Sequence, residues 1–252
     1  MVLLSSPTGD ARVRLILGIF SSRSRLPLQF DQFRKTGYSA EESTKTISQV
    51  DGVERVAAIN PRRIPGNWRQ GYVLDFHTLS SEFLGYDEYG RPQFETKRTE
   101  IGELLYRLKY KSDRSAFTSL VETAAQFLVS RRLALDYVLP VPPSKSRVFQ
   151  PVLEIAQAVS KQLNVLYRDD LVQKVKETLE LKNVYDFNER LKLLENAYVI
   201  QQPALLNGKT ILLFDDLYRS GATMNAIAGA LQTQGQVANV YAFALTKTRS
   251  NV

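Results

Sequence analysis

The chain has 252 residues, of which 44% are hydrophobic, so it can form one large α/β domain or a core domain with an appendage. It contains no cysteine, which excludes disulfides, cysteine nucleophiles and thiolate metal sites, and the single histidine, His77, argues against a histidine-rich metal site. The net charge of +7 favours anionic partners such as phosphorylated substrates or nucleic acid, without choosing between them. No apolar stretch is as long as a membrane span or a signal peptide requires, so we expect a cytoplasmic protein without a membrane partner.

The first part of the chain is expected to be an appendage. Residues 1–66 predict a strand at Val13–Phe20 and a helix at Ser39–Gln49, and they end at the turn-forming segment Pro61–Gly66. We place the whole appendage at 1–98, including a hairpin at its end, and the core domain at 99–252. Because about seven residues follow the last predicted strand, we expect any hood over a ligand pocket to come from the appendage.

An aromatic-rich region follows. The alternation at Trp68–Thr78 predicts a strand, and Ser81–Thr96 predicts a hairpin with its tip at Asp87–Gly90. Its aromatic residues are typical of core and hairpin pairs, with stacking on a nucleobase as the alternative. They are Trp68, Tyr72, Phe76, Phe83, Tyr86 and Tyr89. We interpret His77 as a structural or surface residue, and the alternative is a general base.

From Thr99 onward the apolar period becomes helical and then alternates between helices and strands. Strands are predicted at 137–141, 197–200, 210–214 and 237–245, and helices at 151–163 and 221–234. Strands that alternate with helices predict an α/β fold, with a parallel sheet that is covered by helices on both faces.

The most informative segment is Ile211–Thr223. An apolar strand leads into Asp215 and Asp216, and a small-residue turn then opens a helix. Ligands of open α/β folds bind at the carboxyl ends of such strands, and free N–H groups at a helix N-terminus suit a phosphate. Neighbouring carboxylates accept hydrogen bonds from vicinal hydroxyls, so the pattern predicts a phosphosugar site. The alternative is an ordinary turn with solvated acids.

This segment resembles the phosphoribosyl-pyrophosphate (PRPP) motif of type I phosphoribosyltransferases. The resemblance implies a core of that fold, in which Asp215 and Asp216 hold the ribose hydroxyls and a Mg²⁺ ion that accompanies PRPP. It also implies that the turn cradles the 5′-phosphate, through Arg219, Ser220, Gly221, Ala222 and Thr223. Arg219 stands where the family usually has a small hydroxyl residue.

Two further segments extend the resemblance to ComF-type proteins of the same family. Pro140–Arg147 is similar to their pyrophosphate loop, which implies diphosphate binding by Pro142, Ser144, Lys145 and Arg147. The alternative is a rigid proline-rich turn with solvated basic tips. The Leu108-Lys109-Tyr110 segment is similar to a helix end of these proteins.

Residues 171–199 are similar to the flexible catalytic region of ComF-type proteins, and the basic segment 174–192 within them contains the candidate catalytic residue Arg190. We interpret this segment as a lid over the diphosphate, and a solvated helix face is the alternative.

The resemblance implies a phosphoribosyltransferase, in which an unidentified acceptor, usually nitrogen, displaces pyrophosphate from the ribose C1. The first alternative is a regulator that senses PRPP or nucleotides without turnover. The second is a ComF-like accessory of DNA uptake that associates with nucleic acid. A homodimer is compatible with each of these hypotheses.

Overall fold

The computed structural model describes residues 56–143, 149–175, 194 and 196–249. The chain divides into two units, Met1–Gly52 and Val53–Val252, and every described residue belongs to the second unit. The strands are β1 Arg62–Arg63, β2 Gln70–Phe76, β3 Thr78–Tyr86, β4 Pro92–Arg98, β5 Tyr137–Pro140, β6 Leu166–Tyr167, β7 Val172–Lys174, β8 Tyr198–Ile200, β9 Thr210–Tyr218 and β10 Asn239–Lys247. The helices are α1 Glu100–Tyr110, α2 Ser115–Ser130, α3 Pro151–Leu163 and α4 Ala222–Thr233, with a 3₁₀ turn at Pro203–Leu205.

A six-stranded sheet in the order β1-β2-β10-β9-β5-β6 forms the centre of this unit. Its neighbouring strands are parallel, except that β1 pairs with β2 in the antiparallel direction. Every strand of the parallel part ends at the same edge, and β9 lies near the middle of that edge. The predicted α/β class with a parallel sheet is therefore confirmed.

Both faces of the sheet are covered, as predicted. Helices α1, α2 and α3 pack on one face, where they meet Leu212 and Phe214 of β9. Helix α4 and the small β7–β8 sheet pack on the other face, where they meet Ile211 and Leu213. A strand between two layers has to be apolar on both sides, which explains the uninterrupted run that precedes the acids.

The core sheet begins earlier in the chain than the predicted boundary at 98/99. Strand β2 lies inside the sheet and pairs with β10 over Gln70–Phe76. Its residues Tyr72, Val73 and Leu74 are buried, and they face alternate layers of the core. The alternating pattern predicted the strand but not its partner, because the partner lies far away in sequence.

The predicted hairpin is present as β3 and β4, which form a separate two-stranded sheet. Its tip is the predicted one, since the Gly90 N–H donates to the carbonyl of Asp87. Phe83 packs edge-on against Tyr86 and is tilted against Phe94, so the aromatic residues form hairpin pairs. Among the described residues, no helix has the length and apolar character needed to cross a membrane.

Candidate functional site

The acid pair lies at the carboxyl edge of the sheet, between β10 and β5. Asp215 is in register with Ala244 of β10, while β5 ends opposite Phe214, the residue just before the acids. The Val141 N–H then donates to the Phe214 carbonyl at 2.8 Å. The chain that continues at Pro142 therefore leaves the sheet directly beside the acids.

The side chain of Asp215 is partly buried. Burial, and then the neighbouring charge of Asp216, raise the pKa of Asp215 above its ordinary value. The Asp216 N–H donates to Asp215 Oδ1 at 2.8 Å, which partly offsets this effect. A carboxyl group held in this way accepts hydrogen bonds from a ligand hydroxyl with little competition from water.

Asp216 has a cationic partner that comes from α1. Lys109 Nζ lies 2.6 Å from Asp216 Oδ2, and the two side chains are only 15% and 17% exposed. The pair joins the end of a helix on one face of the sheet to the end of β9. The sequence indicated Lys109 only as part of a segment that is similar to a helix end of ComF-type proteins. It did not predict the contact between Lys109 and Asp216.

The turn after the acids has the geometry of an anion cradle. Gly221 has φ 78°, a left-handed conformation that glycine adopts without strain, and α4 starts directly after it. Gly221 has no side chain to cap α4, and the Ala222 N–H at the positive end of the helix dipole donates to Ser220 Oγ at 3.4 Å. Of the predicted phosphate-binding residues, Gly221 and Ala222 are buried, Ser220 and Thr223 are partly exposed, and Arg219 is exposed.

A segment from the start of the unit braces this turn. The Tyr218 hydroxyl donates to the Pro65 carbonyl at 3.0 Å, and Trp68 packs edge-on against the Tyr218 ring. Asn225 of α4 accepts from the Asn67 N–H and donates to the Gly221 carbonyl. The sequence indicated residues 61–66 only as a boundary, since no local pattern reveals partners so far along the chain.

His77 also lies beside the site. Its Nδ1 is 3.3 Å from Thr246 Oγ1, and that hydroxyl donates to the Asp216 carbonyl at 3.1 Å. Because the hydroxyl proton is used on Asp216, Nδ1 carries the imidazole proton and Nε2 is the free acceptor. Burial, followed by the charges of Lys109 and Arg98, lowers the pKa of His77 and keeps the ring neutral.

Of the remaining predicted site residues, only Pro142 lies within the described part of the chain. Pro142 is partly exposed in the loop after β5. Ser144, Lys145, Arg147 and Arg190 lie outside the described residues. The described part of the chain contains no cluster of three or more His, Cys, Asp or Glu side chains that could hold a metal alone. The two aspartates fit an ion that brings most of its oxygen ligands with a substrate, as Mg²⁺ does with phosphates.

No protein-family model matches the chain, and no curated protein matches it by sequence. Solved structures that resemble it include the adenine phosphoribosyltransferase from Leishmania tarentolae, at 9% identity and a TM-score of 0.40 over 75% of this chain and 94% of that one. The adenine phosphoribosyl transferase from Trypanosoma brucei, in complex with AMP, pyrophosphate and ribose-5-phosphate, matches at 11% identity and a TM-score of 0.41 over 75% and 86%. A hypoxanthine phosphoribosyltransferase from Staphylococcus aureus matches at 12% identity and a TM-score of 0.36 over 54% and 67%. At such values, the function has to be inferred from the residues of the site.

Proposed function

We propose that the chain binds PRPP and transfers its phosphoribosyl group to an acceptor, with release of pyrophosphate. The observation that carries this proposal is the sequence of groups along one sheet edge. Two aspartates lie in the last part of β9, a left-handed glycine follows the strand, and the N-terminus of α4 comes next. A sugar diol and a phosphate on the same ribose match these two kinds of group at neighbouring positions.

The proposed reaction needs no nucleophile from the protein. The acceptor, usually nitrogen, attacks the ribose C1 as the C1–O bond to the diphosphate breaks, through a transition state with oxocarbenium character. Asp215 and Asp216 hold the diol, and the α4 N-terminus holds the 5′-phosphate, so that C1 is fixed relative to both ends of the sugar. Mg²⁺, when bound with PRPP, neutralises charge on the leaving diphosphate.

The acceptor side of the site is proposed to lie near His77 and the β3–β4 hairpin. Strand β2 ends beside β10, and His77 follows it next to the acid pair. A neutral imidazole with Nε2 as acceptor can take a proton from a nitrogen nucleophile. The exposed aromatic residues of the hairpin are Phe83, Tyr86, Tyr89 and Phe94. They provide flat surfaces for a ring-containing acceptor.

Calorimetric titration with Mg²⁺ and PRPP tests the proposed site. We expect binding by the wild type and a loss of at least 100-fold in affinity for the double variant Asp215→Asn/Asp216→Asn. The matched control is Asp169→Asn/Asp170→Asn, which alters an identical Asp-Asp pair that is exposed outside the site. Equal affinities for the wild type and the first variant would refute the assignment.

Pyrophosphate release over a panel of purines, pyrimidines and simple amines tests turnover. Release with one acceptor class supports the transferase. Tight PRPP binding without release from any acceptor supports instead a regulator that reads PRPP. A salt-dependent shift of DNA or RNA on a native gel would favour the nucleic-acid alternative, because contacts to phosphates weaken steeply with salt.

A further inference from the structure

We infer that Lys109 is a positioning residue of the proposed site, which holds the Asp216 carboxylate in place for the ribose diol. The inference rests on the proposed function, because it concerns the same acid pair. It goes further in that it assigns a role to a residue on a different element, 107 positions before Asp216 in the sequence. Its first observation is the contact of 2.6 Å between Lys109 Nζ and Asp216 Oδ2.

The Lys109 ammonium group and the Asp216 carboxylate each depend on the other for charge compensation. Because both side chains are mostly buried, neither charge is compensated by water alone. Asp215 carries the other carboxyl group at this edge, and its Oδ1 accepts a hydrogen bond from the Asp216 N–H. Lys109 therefore balances a pair of neighbouring carboxyl groups that would otherwise repel each other at the place where the diol binds.

The other groups around this cluster are mainly cationic. Arg98, Arg219 and Lys109 each lower the pKa of the neutral His77, whereas Asp216 raises it, so these groups surround the imidazole that lies beside the acid pair. Only Lys109 is in ion-pair contact with Asp216 among the described residues. The contact uses Oδ2, and a carboxylate accepts several hydrogen bonds, so acceptor positions are left for a ribose hydroxyl.

Helix α1 is fixed in a way that aims Lys109 at the acids. The Thr99 hydroxyl accepts from the Gly102 N–H and donates to the Phe76 carbonyl, which joins the helix start to the end of β2. Gly102 packs so closely on His77 that a Cβ there would overlap the His77 carbonyl oxygen. Leu105 and Leu108 are buried in the core, so the helix has little freedom to rotate. Lys109 is thus delivered to the sheet edge by a rigid element.

PRPP affinity of Lys109→Met, measured by calorimetry, tests this role. We expect a loss of at least tenfold, because Asp216 loses the partner that orients it, and partial recovery in Lys109→Arg, which keeps the cation. Lys111→Met is the matched control, since Lys111 is exposed two residues further on, and it should bind as the wild type does. Unchanged binding by Lys109→Met would overturn the inference, and tighter binding would identify Lys109 as a competitor of the ligand.

A second experiment tests the pair without any ligand. Thermal unfolding is measured for Lys109→Met, Asp216→Asn and the double variant. If the two side chains act on each other, the double variant melts no lower than the worse single variant. Additive losses would overturn the inference. If the wild type does not bind PRPP, the proposed function fails, while this cycle still decides whether Lys109 holds Asp216.

Discussion

The chain contains two Asp-Asp pairs, and they lie in opposite environments. Asp169 and Asp170 follow the edge strand β6 and are exposed, and Asp170 accepts two hydrogen bonds of 2.7 Å from Arg168. This contact lowers the pKa of Asp170, whereas burial and a like charge raise the pKa of Asp215. An identical dipeptide is therefore an exposed pair at one position and a partly buried pair at the other.

The difference comes from what surrounds each pair. The pair at 215–216 lies in the last part of a central strand that has neighbours on both sides, and Gly221 and α4 follow that strand. The pair at 169–170 follows an edge strand and leads into β7. The comparison indicates that a ligand site needs the central strand, the turn and the countercharge together, and that adjacent carboxylates alone do not make one.

Among variants that leave both acid pairs intact, the largest expected effect comes from the turn that only the first pair possesses. Gly221→Ala adds a Cβ that would lie 2.5 Å from the Tyr218 hydroxyl oxygen, in a left-handed backbone conformation. We expect PRPP affinity to fall by at least 30-fold, because the N–H groups of α4 move with the turn. Gly208→Ala is the control, since Gly208 has φ 70° but no atom within 4 Å of the added Cβ. Calorimetry measures the PRPP affinity of both variants. Equal affinities would show that the turn is not part of the PRPP site.

The next effect is a gain in stability on removal of a buried charge. Because the native pKa of Asp215 is raised, ionising its carboxyl group costs more free energy in the folded protein than in the unfolded chain. This cost is absent below the ordinary pKa of about 4, and it grows as the pH rises through the native pKa. We expect Asp215→Asn to raise Tm at neutral pH by about 2 to 4 °C, the shift that corresponds to roughly 1 kcal/mol in a domain of this size.

The pH dependence of that gain separates the two pairs. Differential scanning calorimetry at several pH values should show a smaller gain for Asp215→Asn near pH 4 than at pH 7. Asp170→Asn should give no gain at either pH. A lower Tm for Asp215→Asn at neutral pH would mean that its carboxylate is stabilised in the folded state, which contradicts the desolvated environment.

A third effect concerns the brace beneath the turn. Tyr218→Phe removes the hydrogen bond to the Pro65 carbonyl and keeps the ring packed against Trp68. We expect a cost of about 1 kcal/mol in the free energy of unfolding, measured by urea denaturation. PRPP affinity should fall by only a few-fold, because Gly221 and α4 remain in place. Tyr241→Phe, in a tyrosine of β10 on the opposite face, is the control for PRPP affinity.

The strand and the turn that carry the candidate site were predictable, because their pattern is local. The apolar run Ile211–Phe214, the acids and the glycine turn follow each other in the sequence, so strand periodicity and turn chemistry were enough to find them. Sheet layers and the hairpin were predictable for the same reason. In contrast, the Tyr218–Pro65 contact joins residues 153 positions apart, and the Lys109–Asp216 pair and the β2–β10 pairing are also long-range. No short-range pattern encodes such contacts, which depend on how the layers pack.

The smallest expected effect completes the comparison at the exposed pair. Asp170→Asn weakens the ion pair with Arg168, and exposed pairs of this kind contribute between 0 and about 1 kcal/mol. Since the native pKa of Asp170 is lowered, its contribution is present above the ordinary pKa of about 4 and is lost as the pH falls through the native value. Wild type and Asp170→Asn should therefore differ slightly in Tm at pH 7 and converge in acid, which is the opposite of the trend expected for Asp215→Asn. The same trend in both variants would show that the two pairs share one environment in solution, and the distinction on which the proposed site depends would be lost.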